Sequence, residues 1–436
     1  MKYDIYEELL KIKTKNDAYN ILKDYYNNIC KKPKKNENFN ILLLNAPCNG
    51  FGDVIFAMKL SKYLKNWYPN SSIKIATPKI DNFLSLGEDP NNLYFLNPNN
   101  PNKGLDQCRR FSHLKIQSIN KQDIEIPIFD IIIVAPIQMD FYPSISDVTK
   151  IIPYANNINT LTFSEYNDEI DKNFDFNTGI GDDRDGLLFT FPEKIESKLP
   201  SLKNPYAVIY IHDLDNSHKC FLSFINLLTY KYSKKHKKLD IILPFWITDL
   251  ILNDEKFQKK MFKVLNNYEN VQVKNKNETI SIIQNNDNKY ILTFRNDILP
   301  LPNKDMLRLY KYSINDILIT GDQSLTDVLS CCSENKILHY QIVAWKIDFA
   351  KNLSKYLPDK YIGKKNTSCG TIQQINYKPD FKKFIKDWDF RKISKDRLSA
   401  YVQLSLDIKK EGHYIKELYD IIKNSKTYKE IINKIR

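Results

Sequence analysis

Three short segments of the chain carry side chains that could do chemistry together. The first is Asn49-Gly50-Phe51-Gly52-Asp53, set between the apolar run that opens at Ile41 and a helical pattern with Ala57, Leu60, Leu64 and Trp67 on one face. Two glycines in three residues let the backbone turn sharply, and the turn leaves the Asp53 carboxylate at the mouth of a helix, where the amides favour its anion. Such a carboxylate accepts a proton from a hydroxyl that a substrate holds against it. It also suits a plain helix cap, and spacing alone leaves both readings open. The second segment is Ser217-His218-Lys219, just after the strand pattern at 207–211, where a lysine can meet an anion. A solvated lysine is the competing reading. The third is DILITGDQSLTDVLSCC, Asp316 to Cys332, in which a buried strand runs into Gly321-Asp322-Gln323-Ser324 and then a helix. Ser324 and Asp327 form a capping-box pattern there, while free amides from Gln323 to Thr326 would make an anion site.

These segments need strands and helices to hold them. Ile41 to Pro69 reads as strand, glycine turn and helix, Ser72 to Ala76 as a second strand, and Asp89 to Lys103, rich in Asn and Pro, as a loop. Phe129 to Pro136 is a continuous apolar run, the pattern of a strand buried on both faces of a parallel sheet. From Tyr154 to Pro200 the signal weakens. Glu165 and the stretch Thr178 to Arg184, with Asp182, lie in polar sequence that fits turns or an acceptor-side element. A second series of strands follows at 207–211, 240–244, 271–273, 290–294, 316–320 and 336–340, with helices between them.

Composition narrows the class. The 436 residues suffice for two domains with full cores, and 42% hydrophobic content argues for a globular protein. No run of about 18 apolar residues would span a membrane, and the start, MKYDIYEELLKIKTK, lacks the apolar core of a secretory signal, so a cytoplasmic location is expected. The seven cysteines are odd in number and show no C-x-x-C spacing, which argues against a disulfide framework or structural zinc. The net charge of +13 comes mostly from lysine, with eight arginines in all, so a solvated surface is favoured over specific nucleic-acid binding. An anionic substrate or peripheral contact with an anionic membrane stays compatible with it.

The glycine turn with its helix and the downstream Tyr68-Pro69, the Ser217-His218-Lys219 loop, and Asp316 to Asp327 together resemble the lipopolysaccharide heptosyltransferase family and its relatives of the GT-B glycosyltransferase fold. The resemblance implies that Asp53 is the base for an acceptor hydroxyl and that Lys219 contacts the donor diphosphate. In that family an aspartate followed by Thr-Gly-Leu-Ser/Thr-His lines the donor site. Here Asp322, Leu325 and Thr326 match, while Gln323, Ser324 and Asp327 replace Thr, Gly and His. A side chain at Ser324 limits the approach of phosphate to backbone, and Asp327 repels it, so a departure from the family's usual donor geometry is expected.

The expected fold is α/β, with two Rossmann-like parallel-sheet domains facing a cleft. Expected boundaries are a helical extension at 1–38, an acceptor domain at 39–200, a donor domain at 201–393 and a helical segment at 394–436 that packs across both. The expected activity is transfer of a sugar from a nucleotide sugar to a hydroxyl of a glycan, lipid or protein, with inversion and without a metal or cofactor. Asp53 is the catalytic candidate; Ser217, Lys219, Asp322, Gln323, Ser324, Leu325 and Thr326 are donor-side candidates; Asn49, Gly50, Gly52, Glu165 and Asp182 are acceptor-side candidates. A nicotinamide oxidoreductase would need G-x-G-x-x-G and an acidic residue after the second strand. The chain has Ala57 near the third glycine position and no such acid. A non-catalytic protein of the same fold that binds a nucleotide sugar or a polyanion is the alternative.

Overall fold

The computed structural model describes residues 38–47, 51–98, 114–137, 160–167, 174–190, 195, 197–214, 216–284, 290–332, 335–399 and 401–402. Residues 1–37 of the expected N-terminal helical extension and residues 400 and 403–436 of the C-terminal one lie outside them. The chain divides into two compact units, one of residues 1–84, 88–188 and 388–436 and one of residues 85–87 and 189–387. Apart from the short 85–87 excursion, it passes between units at 188/189 and 387/388.

The first unit opens with β1 (Asn40–Leu44), α1 (Gly52–Trp67), β2 (Ser72–Thr77) and α2 (Ile80–Ser85), and continues through β3 (Leu93–Pro98), β4 (Leu114–Gln117), β5 (Ile131–Ile137) and β6 (Thr160–Ser164). Its sheet has the order β4-β3-β2-β1-β5-β6, parallel throughout except for the antiparallel edge strand β4. Ile41, Leu42 and Leu43 are wholly buried, as an apolar run covered on both faces requires. Strand order reverses between β1 and β5, so the crevice of this sheet opens at their carboxyl ends. Leu93–Pro98, expected as loop, is strand β3: Leu93 and Leu96 are buried, and their packing outweighs the Asn and Pro around them.

The second unit holds β7 (Tyr206–Tyr210), α3 (Ser217–Tyr232), β8 (Lys238–Ile242), α4 (Phe245–Asn253), α5 (Glu255–Val264), β9 (Asn270–Lys274), β10 (Thr279–Gln284) and β11 (Ile291–Arg295). After these come α6 (Asn303–Tyr312), β12 (Asp316–Thr320), α7 (Asp322–Cys331), β13 (Ile337–Gln341), α8 (Ile347–Tyr356), β14 (Ile362–Lys364), β15 (Ile372–Asn376) and α9 (Phe381–Ile385). The nine strands order as β10-β9-β11-β8-β7-β12-β13-β15-β14. The six from β9 to β13 in that row are parallel, and β10, β15 and β14 add antiparallel edges. Order reverses between β7 and β12. Both units are thus Rossmann-like, doubly wound sheets, as the alternation of strand and helix patterns predicts.

The chain then returns to the first unit through α10 (Phe390–Ile393). The Phe390 ring packs 5.7 Å from Phe163 and 5.8 Å from Phe176, and Arg397 lies 4.4 Å over the Phe176 ring. Ser394 donates to the Asp185 carboxylate at 3.0 Å, and Arg397 pairs with the same group.

At the amino end of β12 the buried Asp316 carboxylate organises the second unit. It accepts hydrogen bonds from Lys231 at 3.0 Å and Tyr232 at 2.7 Å and lies 2.8 Å from His339 Nε2. Burial pushes this carboxyl upward, but its contacts with His339, Tyr232 and Lys231 win and hold it below the ordinary value of 3.8. A depressed folded-state pKa means that the stabilisation is complete above the unfolded value and is lost as pH falls through the folded one. Asp316→Ala should therefore cost about 3 to 5 kcal/mol at neutral pH by leaving buried partners unpaired. The deficit against the parent chain should shrink below about pH 4. Urea unfolding followed by circular dichroism at both pH values measures it.

Candidate functional site

In the first unit, the fully buried Asn45 follows the carboxyl end of β1. Its Nδ2 donates to the Ala135 carbonyl at 2.9 Å and to the Asp53 carbonyl at 3.1 Å. One side chain thereby ties the ends of β1 and β5 to the first turn of α1, at the point where the strand order reverses. Asp53 is the second residue of α1 and half-buried. The capping position belongs to Phe51, which offers no side-chain hydrogen bond, so Asp53 is a first-turn acid and not the cap residue. Gly52 is the exposed first residue of the helix, and Asn49 and Gly50 lie outside the described residues.

Glu165 and Asp182 belong to a stretch fixed by its own hydrogen bonds. Asn167, at φ 57°, donates to the Ile180 carbonyl and accepts from the Ile180 amide, both at 2.9 Å, so its side chain substitutes for a neighbouring strand. Gly179, at φ 132°, lies so close that a Cβ there would stand 2.4 Å from Asn167 Oδ1. Glu165 is buried, whereas Asp182 sits exposed at the tip of the turn. The glycines of this stretch thus serve tight packing and turning.

In the second unit, β7 ends at Tyr210 and the loop after it is fastened by Ser217. The Ser217 hydroxyl donates to the His212 carbonyl at 2.6 Å and accepts from the Leu214 amide at 2.8 Å and from Gln341 Nε2 at 3.1 Å. Buried and fully engaged, Ser217 shapes the loop. Lys219, two residues on, is exposed and lines a groove of about 1140 Å³. That groove is bounded by the amino end of α3, by Asp254 to Lys260 around the start of α5, and by Gln341 to Trp345 beyond β13. The Trp345 indole is 53% exposed on its wall.

The third segment is arranged differently. Gly321 adopts φ 78°, ψ 153°, a conformation that only glycine takes without strain, and hands the chain from β12 into α7. All ten residues of α7 are buried, including Gln323, Ser324, Leu325 and Thr326. The Asp322 carboxylate accepts from its neighbour, the Gln323 amide, at 2.7 Å and pairs with the buried Lys346 ammonium at 3.0 Å. The Leu325 amide bonds to the Gly321 carbonyl at 3.3 Å, and the Thr326 hydroxyl donates to the Gln323 carbonyl at 2.9 Å. Two of the amides expected to face an anion are therefore already paired. Because the helix begins at Asp322, Ser324 and Asp327 lie inside it and form no capping box; Asp327 Oδ2 instead accepts from Asn303 at 3.2 Å. Close by, burial pushes the His212 imidazole below its ordinary value, against the pull of Asp322.

Of the donor-side candidates, Lys219 alone lines the groove; Ser217 and 322–326 form its supports and the core beside it. Lys256, Lys260, Trp345 and Lys346 escaped the sequence reading. The detectable signal was Asp254, whose carboxylate caps α5 by accepting from the Phe257 amide at 2.9 Å, followed by two lysines one turn apart. Among the described residues no group of three or more His, Cys, Asp or Glu side chains could hold a metal ion, and no helix is long and apolar enough to cross a membrane.

No family model and no curated protein matches the chain. In structure it is similar to a glycosyl transferase family 9 protein from Veillonella parvula, at 9% identity over 84% of this chain and 98% of that one, with a TM-score of 0.36. It is also similar to the E. coli heptosyltransferase WaaC with ADP, at 7% identity over 70% and 94% of the two chains and a TM-score of 0.30. A third likeness is to OtsA, at 11% identity over 93% and 77% and a TM-score of 0.27. None of the three reaches one half on that scale, and the fold assignment rests on the strand orders given above.

The hinge from β12 into α7 yields a clean backbone experiment. No atom lies within 4 Å of a Cβ added at Gly321, so Gly321→Ala meets no clash. Backbone strain alone should then lower stability by about 1 to 3 kcal/mol, measured by urea unfolding.

Proposed function

We propose that the chain is a glycosyltransferase that moves a sugar from a nucleoside diphosphate sugar to an acceptor hydroxyl, with inversion at the anomeric carbon. The observation that carries this reading is the lysine-lined, tryptophan-walled groove at the carboxyl edge of the second sheet. A doubly wound sheet binds nucleotides at that edge, an ammonium there matches a diphosphate, and an exposed indole offers a face to a base or sugar ring. In the first unit the carboxylate suited to take the proton is Asp53, held in the opening turn of α1 by the Asn45 clamp on the strand ends. Asp53 would draw the proton from the acceptor hydroxyl as its oxygen forms the new glycosidic bond. The bond from the anomeric carbon to the diphosphate breaks on the opposite face, and the departing charge is met by Lys219.

The reaction so described needs no metal, because lysine neutralises the leaving group. Release of nucleoside diphosphate from a panel of nucleotide sugars should continue in excess chelator; complete loss that magnesium or manganese restores would overturn the metal-free reading.

The two named residues should fail in different ways. Asp53→Asn keeps size but cannot take a proton, so turnover should drop by about 10²- to 10⁴-fold with donor affinity unchanged. Lys219→Ala should weaken donor binding by about 1.5 to 3 kcal/mol, read by calorimetry. A chain that binds nucleotide sugars but shows no transfer or donor hydrolysis, with Asp53→Asn indistinguishable from the parent, would instead be a binding protein.

A further inference from the structure

The groove and the α7 amino terminus offer competing places for an anion, and their electrostatics are opposite in sense. At α7 the Asp322 carboxylate already occupies the position an anion would take: it accepts the Gln323 amide and is paired with the buried Lys346. A phosphate arriving there would have to displace a buried ion pair and meet Asp327 one turn further on.

Around the groove the balance runs the other way. Lys219 projects from the first turn of α3, and Lys256 and Lys260 stand four residues apart on α5, which places them on one helix face. The three ammoniums form no ion pair among the described residues. Two carboxylates share the lining. Asp254 is committed to capping α5, where the charges of His218 and Lys256 both act on it, while Asp213 is exposed on the loop after β7. Three ammoniums against two carboxylates, one of them bound to backbone, leave the lining a positive excess that suits an anionic ligand.

We propose that Lys256 and Lys260 on α5 join Lys219 in a three-ammonium site that takes the diphosphate of the donor in place of the α7 amino terminus. This rests on the glycosyltransferase reading for the identity of the ligand, but the anion site stands on the groove itself. The lysines supply by side chain the charge that free helix amides would otherwise supply. Binding through point charges in an open groove depends strongly on salt, more than binding through backbone amides does.

The test uses the full chain, Lys256→Ala/Lys260→Ala and Asp322→Asn, titrated by calorimetry with tripolyphosphate, with ADP and UDP, and with nucleotide sugars, at two salt concentrations. Lys256 and Lys260 are exposed, so the double variant should keep the melting temperature of the parent. It should lose at least about tenfold in affinity for tripolyphosphate and for nucleotides, and its affinity should depend less on salt. Unchanged affinity in the double variant overturns the proposed site while leaving the glycosyltransferase reading intact. Tripolyphosphate binding that the double variant loses, with no nucleotide or nucleotide sugar bound by the parent, upholds the anion site and overturns the glycosyltransferase reading. A parent chain that binds none of these ligands overturns both. Affinity raised in a folded Asp322→Asn, where the competing charge is gone and Lys346 is released, together with unchanged affinity in the double variant, returns the anion to α7 and overturns the site.

Discussion

A carboxylate buried at the start of a helix must find compensation within the protein, and Asp322 finds it in a backbone amide and a buried ammonium. Ten consecutive buried residues leave the first turn of α7 little contact with solvent. The Asp322 side chain therefore turns back on the Gln323 amide, and Lys346, itself buried, neutralises what remains of the charge. Everything at the carboxyl edge of β12 follows from that closure. The strand can end in a glycine with open space beside it, and the helix can sink into the core.

The two units solve one geometric problem with the same kind of part. Each sheet reverses its strand order once, and at that reversal a buried amide side chain links pieces that the backbone alone would leave separate. Asn45 joins the ends of β1 and β5 to α1 in the first unit. In the second, Gln341 at the end of β13 donates to the Ser217 hydroxyl and accepts from the His212 amide, so it couples the loop after β7 to a strand two places away. These links fix Asp53 and Lys219 through the elements that carry them.

The buried parallel strands were legible because nothing but apolar side chains could occupy them: β1, β5, β7 and β12 each appear within a residue or two of the run that announces them. Two strands next to the sheet margins, β15 and β3, were not. β15 carries Gln373, fully buried, whose amide donates to Ser354 at 2.8 Å, so its sequence shows no apolar alternation although it sits inside the sheet. β3 is hidden in an Asn- and Pro-rich passage and shows itself only through Leu93 and Leu96. The expectation that Gln323 to Thr326 line a ligand site was drawn without Lys346, which pairs with Asp322 at their head. That residue lies 24 positions downstream of Asp322, and its pairing depends on the adjacency of β12 and β13. The lysines of α5 were harder to read for a related reason, since a charge run on an amphipathic helix reads as solvated surface until the fold sets it against a groove.

A crystal structure of the chain with a bound nucleoside diphosphate tests the central claim most directly. Phosphate oxygens within hydrogen-bond distance of the Lys219, Lys256 and Lys260 ammoniums, with the Asp322–Lys346 pair intact, are the result this account predicts. Phosphates seated on the amides of Gln323 and Ser324, with Lys346 turned away from Asp322 toward the ligand, would contradict it.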